Sequence, residues 1–428
     1  MNSQYVGIDV GTSGIRACLI DAAAETLGTA YTPLPAPIRT NARCEQDPQL
    51  WWQALERVLD ELAARYELGQ VAALALDATS ATLLACASDG TALGPALMYN
   101  DRRAEAEAAR IATVAPADSG AHGAHSSLAK ALWLAAQPAT GHARWWLHQA
   151  DWLSGRLLGQ YGHSDENNAL KLGYDPSARR WPDWLVQLGM DMERLPRTVA
   201  PGTDLGTLHP DWARRWRMPH AHVVAGTTDS TAAFLASGAE RIGQAVTSLG
   251  STLVLKVLAE RPVFAPQYGI YSHRLGDRWL AGGASNSGGA ALRQFFTDAQ
   301  LRALEAELRP DRPTGLDYYP LPAAGERFPI SDPQLAPRMS PRPADDARFL
   351  QGLLEGIADI ELRGYILLHE LGAPYPTEVI SCGGGARNTP WRALRARRLG
   401  VPVTVAAHQD AAYGAARLAL SHGRDMHD

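Results

Sequence analysis

Hydrophobic positions along this chain alternate in short runs of period two, broken by small-residue turns, and give way at intervals to apolar stripes of helical spacing. Val6, Ile8 and Val10 alternate, and Ile15, Ala17 and Leu19 do so again after Gly11-Thr-Ser-Gly14, which predicts a hairpin in a sheet. Pro33, Pro35 and Pro37 mark a loop. Asp47-Pro48 then supplies an N-cap and a first-turn proline for an amphipathic helix over 48–66, with Trp51, Leu55, Val58, Leu59 and Leu62 at helical spacing. The apolar run from Val71 to Leu76 predicts a buried strand ending at Asp77-Ala-Thr-Ser80, and the runs 82–86 and 96–98 around Asp89-Gly90 predict a second hairpin. Residues 104–160 read as helix-rich, with Lys130 among them and Trp145, Trp146 and Trp152 in the core.

The strand His222 to Ala225 delivers Gly226-Thr-Thr-Asp-Ser230 at its end, ahead of a helix through Ala232, Phe234 and Leu235. The opening pattern then returns over 244–256 as strand, Gly250-Ser-Thr252 turn and strand. In this alignment Ser248 takes the place of Asp9, so the chain reads as two related halves of which only the first carries the acid. After Gly282-Gly-Ala-Ser-Asn-Ser-Gly-Gly289 and proline-rich loops to Pro329, a helix is predicted over about 345–372 from Phe349, Leu353, Ile357 and Ile360. A strand from Val379 to Cys382 leads into Gly383-Gly-Gly-Ala-Arg-Asn388 and a helix containing Trp391. Asp410-Ala-Ala-Tyr-Gly-Ala-Ala416 opens a last, small-residue helix suited to close packing. Strands ending in polar clusters at Asp9, Asp77 and Asp229 point to one ligand cleft, because open α/β sheets gather ligands at the carboxyl ends of their strands.

Composition narrows this picture. At 428 residues the chain exceeds one usual core, so two or three domains are expected. Hydrophobic residues at 46% and charged residues at 20% are ordinary globular values. A net charge of −5 with no basic stripe argues against a nucleic-acid partner. No apolar run is long enough to span a membrane, the N-terminal stretch lacks a leader pattern, and the four cysteines form no CxxC pair. The expectation is a cytoplasmic protein with reduced, buried cysteines.

The chemistry suggested by these turns is phosphate binding. Glycines at 11 and 14 allow close backbone approach, and a turn whose amides face outward cradles an anion. Asp9, one step before that turn, would repel phosphate unless a cation such as Mg²⁺ lay between them. There is no Gly-x4-Gly-Lys-Ser/Thr motif, which excludes a P-loop mechanism. His122 and His125 lack further ligands nearby in sequence and do not read as a metal site.

These segments resemble, in order and over nearly the whole length, the FGGY carbohydrate kinases of the sugar kinase, actin and heat-shock ATPase superfamily. The resemblance is carried by Gly7-x-Asp9-x-Gly11-Thr12, Glu45-Gln-Asp-Pro48 with Trp51-Trp52, Ala225-Gly-Thr-Thr-Asp229, Ser248-Leu-Gly-Ser-Thr252, Gly325-Glu-Arg-x-Pro329, Glu355-Gly-Ile357 and Ser381-Cys-Gly-Gly-Gly-Ala-Arg-Asn388. Asn100-Asp101, Gln149-Ala-Asp-Trp-Leu153, Asn168-Ala-Leu-Lys-Leu-Gly-Tyr174, Thr247-Ser-Leu-Gly-Ser-Thr252, Gly315-Leu-Asp-Tyr-Tyr-Pro320 and the short length look like the xylulokinase-like branch that phosphorylates D-ribulose. Two departures bear on the substrate. Asp77-Ala-Thr-Ser-Ala81 stands where most of the family has a Ser-Gly-Gln-Met-type segment, and Tyr99-Asn-Asp101 lacks the usual tryptophan before its aspartate.

The resemblance implies an α/β fold of two actin-like, ribonuclease H-like domains around a central cleft. Residues 1–237 with a C-terminal helix at 411–428 would bind sugar, and 238–410 would bind nucleotide. It implies ATP and Mg²⁺, a small-molecule sugar as substrate and neither nucleic acid nor membrane as partner, and it leaves a homodimer open. Gly11, Thr12, Ser13, Gly250, Ser251 and Thr252 would cradle phosphate, and Asp9 would hold Mg²⁺, mostly through water. Asp229 would act as base at the sugar hydroxyl, a role its neighbours leave open alongside that of N-cap to a helix over 230–237. Asp77 and Ser80 would touch the sugar, Gly384, Gly385, Asn388 and Trp391 would surround the adenosine, and closure of the two halves would exclude water.

Overall fold

The computed structural model describes residues 3–425. The chain divides into two compact units. The first runs up to Ala236 and adds His273–Gly276 and the segment from Asp410, whereas the second comprises Ser237–Ser272 and Asp277–Gln409.

The first unit is built on a six-stranded sheet in the order Asp204–Thr207, His222–Thr228, Val71–Ala78, Gln4–Val10, Gly14–Asp21, Thr26–Pro33. The opening hairpin pairs antiparallel, while Gln4–Val10, Val71–Ala78 and His222–Thr228 run parallel. Alternation along the first strand divides its side chains between two layers. Val6, Ile8 and Val10 join Trp51, Leu55, Val58 and Leu62 of the helix Pro48–Arg65 in one core. Asp47 caps that helix by accepting from the Gln49 N–H, with Pro48 in the first turn as its sequence requires. On the other face Tyr5 and Ala75 pack against Ala412, Ala415, Ala416 and Ala419 of the helix Ala411–Asp425. A Cβ at Gly7 would lie 2.0 Å from the Ala412 carbonyl oxygen, so glycine and a small-residue helix are mutually required at this contact.

Two segments differ from the pattern reading. The strand Val71–Ala78 extends past Leu76, so Asp77 lies within it. Trp145 and Trp146 open a strand, Trp145–His148, that pairs with Leu83–Cys86, because bulky aromatic side chains suit a pleated surface as readily as a helix. These two strands belong to a five-stranded sheet with Ile38–Thr40, Arg43–Gln46 and Ala96–Leu97.

The second unit repeats the plan. Its sheet runs Arg278–Ser285, Leu253–Ala259, Gln244–Leu249, Glu378–Cys382, Val403–Val405, with the first three strands antiparallel and the last three parallel. The helix Asp346–Glu370 buries Phe349, Leu353, Ile357 and Ile360 against this sheet, in a core that includes Leu255, Phe328 and Trp391. All four cysteines are buried and unpaired, and no helix among the described residues is long and apolar enough to cross a membrane.

Candidate active site

In the first unit three acids converge at the carboxyl ends of adjacent parallel strands. Asp9 and Asp77 are direct register partners, and Thr227, two residues before Asp229, also pairs with Asp77. Asp77 is fully buried, Asp9 is 8% exposed and Asp229 is half-buried. Burial, the charge of Asp9 and that of Asp229 push the Asp77 carboxyl well above its ordinary range. Asp9 is raised too, chiefly by burial and further by Asp229, with its cross-strand partner Arg16 acting in the opposite sense. The Arg16 guanidinium reaches the Asp9 carboxylate at 3.5 Å.

Asp229 begins the helix Asp229–Ala236, and its Oδ1 accepts from the Ser230 N–H at 2.6 Å. The preceding Thr228 hydroxyl lies 3.0 Å from that of Thr231. Asp229 therefore stands at a helix start, as the capping alternative supposed, and in the acid cluster as well.

The loop after Asp77 is held from below. Ala81 adopts a φ of 68°, a left-handed conformation uncommon for a residue with a Cβ. The fully buried Lys130 donates to the carbonyls of Ala81 at 2.7 Å and Met98 at 2.8 Å. Thr79 donates to Gln149 Oε1 at 2.7 Å and lies 2.6 Å from the Thr82 hydroxyl. Burial lowers the Lys130 ammonium to about 7. The hydroxyl of Ser80 and both oxygens of Asp77 are buried with no hydrogen-bond partner in the protein, as is Nε2 of Gln149. Such orphaned polar atoms at strand ends fit a site for a polar ligand. Lys130 and Gln149 were not foreseen as site residues, but a lone lysine inside the apolar run Ser127–Ala135 was the available signal for the first.

The first hairpin turn closes on itself, with the Gly11 N–H donating to the Gly14 carbonyl at 3.0 Å. A cradle here must therefore rest on Thr12 and Ser13. The second hairpin behaves alike, the Gly250 N–H donating to the Thr252 carbonyl at 3.2 Å. Its turn is buttressed by the glycine-rich segment, since Gly289 N–H donates to Gly250 O at 2.9 Å and Ala290 N–H to Ser251 O at 3.1 Å. Gly288, at a φ of 138°, leaves no room for a Cβ against Ser251 and Thr252.

Within the second unit a cavity of about 610 Å³ is lined by Gly250, Ser251, Gly384, Gly385, Asn388 and Trp391, a size that suits a nucleotide. Thr252 is not in its wall, although it shares the turn. Asn388 spends its Oδ1 as N-cap of the helix Thr389–Leu399, accepting from Trp391 N–H at 2.8 Å. Trp391 is nearly buried, its indole N–H donates to the Leu354 carbonyl, and its ring fills the space a Cβ at Gly385 would need. Both are architectural as well as lining residues. Arg293, Asp298, Arg302 and Glu305 line the opposite wall and were missed, because the helices Gly289–Leu292 and Asp298–Leu304 are too short to show a period.

Mg²⁺ prefers hard oxygen donors and retains several waters. Asp9 and the unpartnered carboxylate of Asp77 provide that donor chemistry. The residues fit the ion.

Comparison with known proteins bears on the family of the chain. Residues 4–236 match the N-terminal domain model of the FGGY family of carbohydrate kinases, and residues 245–422 match its C-terminal domain model. The chain is 27% identical to the xylulose kinase of Escherichia coli strain K12 over 97% of its own length and 89% of the relative's. It is 28% identical to the xylulose kinase of Klebsiella pneumoniae, with the same coverage. The crystal structure of a xyloylose kinase from Brucella ovis superposes with a TM-score of 0.89 at 26% identity, covering 99% of this chain and 91% of that one.

Proposed function

The chain belongs to the FGGY family of carbohydrate kinases, and from that premise we propose that it transfers the terminal phosphoryl group of ATP to the C5 hydroxyl of a ketopentose, D-ribulose foremost. The observation that carries this reading is the meeting of Asp9, Asp77 and Asp229 at neighbouring strand ends beside the unpartnered hydroxyl of Ser80. A polyol needs such acceptors to fix its hydroxyls. A phosphoryl acceptor also needs one carboxylate exposed enough to receive a proton, and Asp229 is the most open of the three.

In this reading Asp229 orients the C5 hydroxyl. The bond from that oxygen to the γ-phosphorus forms as the bond to ADP breaks, and the proton passes late to the Asp229 carboxylate, since a carboxylate is too weak a base to ionise an alcohol beforehand. Its hydrogen bond from Ser230 fixes the carboxylate's orientation. Asp77 and Ser80 hold the sugar, and Lys130 maintains the strained loop that presents Ser80. Asp9, backed by Asp77, would hold Mg²⁺, which when bound neutralises phosphate charge. Thr12 and Ser13 on one hairpin and Gly250 and Ser251 on the other cradle phosphates, while Gly384, Gly385 and the ring of Trp391 form the walls for the adenosine.

D-Xylulose is the second reading, favoured by the xylulose kinases among the relatives. D-Ribulose is placed first on the likeness of Asn100-Asp101, Gln149–Leu153, Asn168–Tyr174, Thr247–Thr252 and Gly315–Pro320 to that branch, while the Asp77–Ala81 and Tyr99–Asp101 segments depart from the usual family pattern, so the assay decides between the pentuloses. The test is a panel of ketoses and polyols assayed for ADP release, with the phosphorylated carbon assigned by NMR. The expected result is a kcat/KM at least about tenfold higher for D-ribulose than for D-xylulose, a difference of about 1.4 kcal/mol. The reverse order would establish the second reading, and ADP release independent of any sugar would overturn both.

A further inference from the structure

We propose that Asp204, His222 and His422 form a binding site for a first-row transition cation such as Zn²⁺, separate from the acid cluster, that fastens the C-terminal helix to the edge of the first unit's sheet. These are the one group of metal-ligating side chains among the described residues that brings together a carboxylate and two imidazoles, with one ligand atom from each within 4.8 Å of the others. His222 Nδ1 lies 2.9 Å from Asp204 Oδ2, and the two imidazole rings are 5.8 Å apart at an angle of 36°. Bonds of about 2.0–2.1 Å in a tetrahedral site place ligand atoms about 3.4 Å apart, so closing the set takes side-chain movements of about an ångström. Water would complete the fourth position.

The backbone is arranged for this convergence. Thr207 pairs with His222 and Gly206 with Val223, but a bulge follows and Asp204 pairs with Val224. In a regular ladder Asp204 would oppose Ala225 and point to the other face. The bulge moves it to the face that His222 and Val224 share. It falls between Asp204 and Gly206, and the φ of 132° at Gly206 suits glycine. That face is covered by the C-terminal helix, where Val224 packs among Ala415, Ala416 and Ala419. His422 follows Leu418 and Ala419 by one turn and so emerges on the same side, over His222. The Gly206 N–H donates to Asp204 Oδ1 at 2.9 Å, while His222 Nδ1 faces both carboxylate oxygens, 3.1 Å from Oδ1 and 2.9 Å from Oδ2; the Gly206 bond is the kind of outer contact that orients a ligating carboxylate.

Nitrogen donors select against Mg²⁺ and for zinc-like ions. The site sits at the amino end of His222–Thr228, and Asp229 follows its carboxyl end, about 20 Å away at ~3.3 Å per residue. Its effect is therefore on the helix. That helix contacts Gly7, two residues before Asp9, and its Gly414 abuts the Ala232 carbonyl in the helix that Asp229 begins.

The test uses the full-length protein stripped with chelator and dialysed, then titrated with ZnCl₂ by calorimetry and followed by thermal unfolding, with MgCl₂ in parallel and Co²⁺ as a spectroscopic probe. The expected result is one zinc per chain, a raised melting temperature that Mg²⁺ does not reproduce, and Co²⁺ ligand-field bands. His422→Ala and Asp204→Asn should each weaken zinc binding at least tenfold and abolish the bands. Both positions lie at the surface edge of the unit, so if one variant folds poorly the other decides. Zinc binding and stabilisation unchanged in the variants would mean an adventitious ion only and would overturn the site, as would the absence of zinc binding to the wild type.

Discussion

The two units of this chain run the same strand order on different chemistry. In the first, the hairpin strand carries Asp9 and its parallel neighbour carries Asp77 directly beside it. In the second, the equivalent register pair is Ser248 and Cys382. The fold tolerates either pair, so the acids are not there for the sheet. Burial raises the proton affinity of both carboxylates, and the charge of Asp9 adds to it at Asp77, a cost that a bound ligand would offset. The neutral pair instead adjoins the glycine-rich side of a cavity, at Gly250, Ser251 and Gly384, where an acid would oppose a polyphosphate; the acids that do line this cavity, Asp298 and Glu305, come from a different segment and stand beside Arg293 and Arg302. A buried ion pair lies among the elements of the second unit's hairpin. Arg395 donates to both Glu361 oxygens at 2.6 Å and to Ser381 at 2.7 Å, and Glu361 accepts from Thr247 at 2.5 Å. This pair ties together the two helices and two strands that carry the nucleotide-side residues.

The strongest way to break that contrast is at the buried pair. Arg395→Met leaves Glu361 uncompensated and should cost about 3–5 kcal/mol. Calorimetry and ATP titration should show the loss in the second unit, with D-ribulose binding retained, and Glu361→Leu added to it should restore most of the stability. Loss of sugar binding to the same extent would mean that the units do not divide the work. A sharper but smaller test transplants the acid. Ser248→Asp should weaken ATP binding by about tenfold or more, because a unit charge about 8 Å from a phosphate interacts at about 2 kcal/mol when the effective dielectric is near 20. Unchanged ATP affinity would remove the argument from neutrality.

Much of this plan is legible in the sequence, and the limits of legibility are physical. The hairpins at 4–21 and 244–259 and the helices at 48–65 and 346–370 announce themselves because local periodicity and capping decide them. Clustering of Asp9, Asp77 and Asp229 follows from the rule that places ligands at strand ends. That Asp9 and Asp77 are register partners does not, since register between strands some sixty positions apart is set by packing that no local window contains. The strand of Trp145 and Trp146 inside a stretch read as helix-rich escapes a local window for the same reason, its pairing being fixed by Leu83–Cys86. The wall formed by Arg293, Asp298 and Glu305 was invisible because short helices carry no period. Asn388 and Trp391 were recognised by family likeness, and only the structure reveals that each also serves as cap or core.

A further effect, read in melting temperature against pH, concerns Lys130. Its ammonium titrates near 7 in the folded protein, against 10.5 for an unperturbed lysine. Between those values the unfolded chain binds the extra proton, so this group's contribution to stability rises with pH across that window and is a penalty below it. The melting temperature of the wild type relative to Lys130→Met should therefore climb by a few degrees from pH 7 to pH 10. A pH-independent difference would show that Lys130 keeps its charge in the fold. Sugar KM should rise in this variant more than kcat falls, because Lys130 supports the Ser80 loop and touches no reacting atom.

The assignment of chemistry to the first unit rests most directly on Asp229. Sugar-dependent ADP release should be measured for Asp229→Asn alongside equilibrium ATP binding. The account predicts a fall in kcat of about 10²–10⁴-fold with ATP affinity unchanged, whereas near-normal turnover with D-ribulose would contradict it.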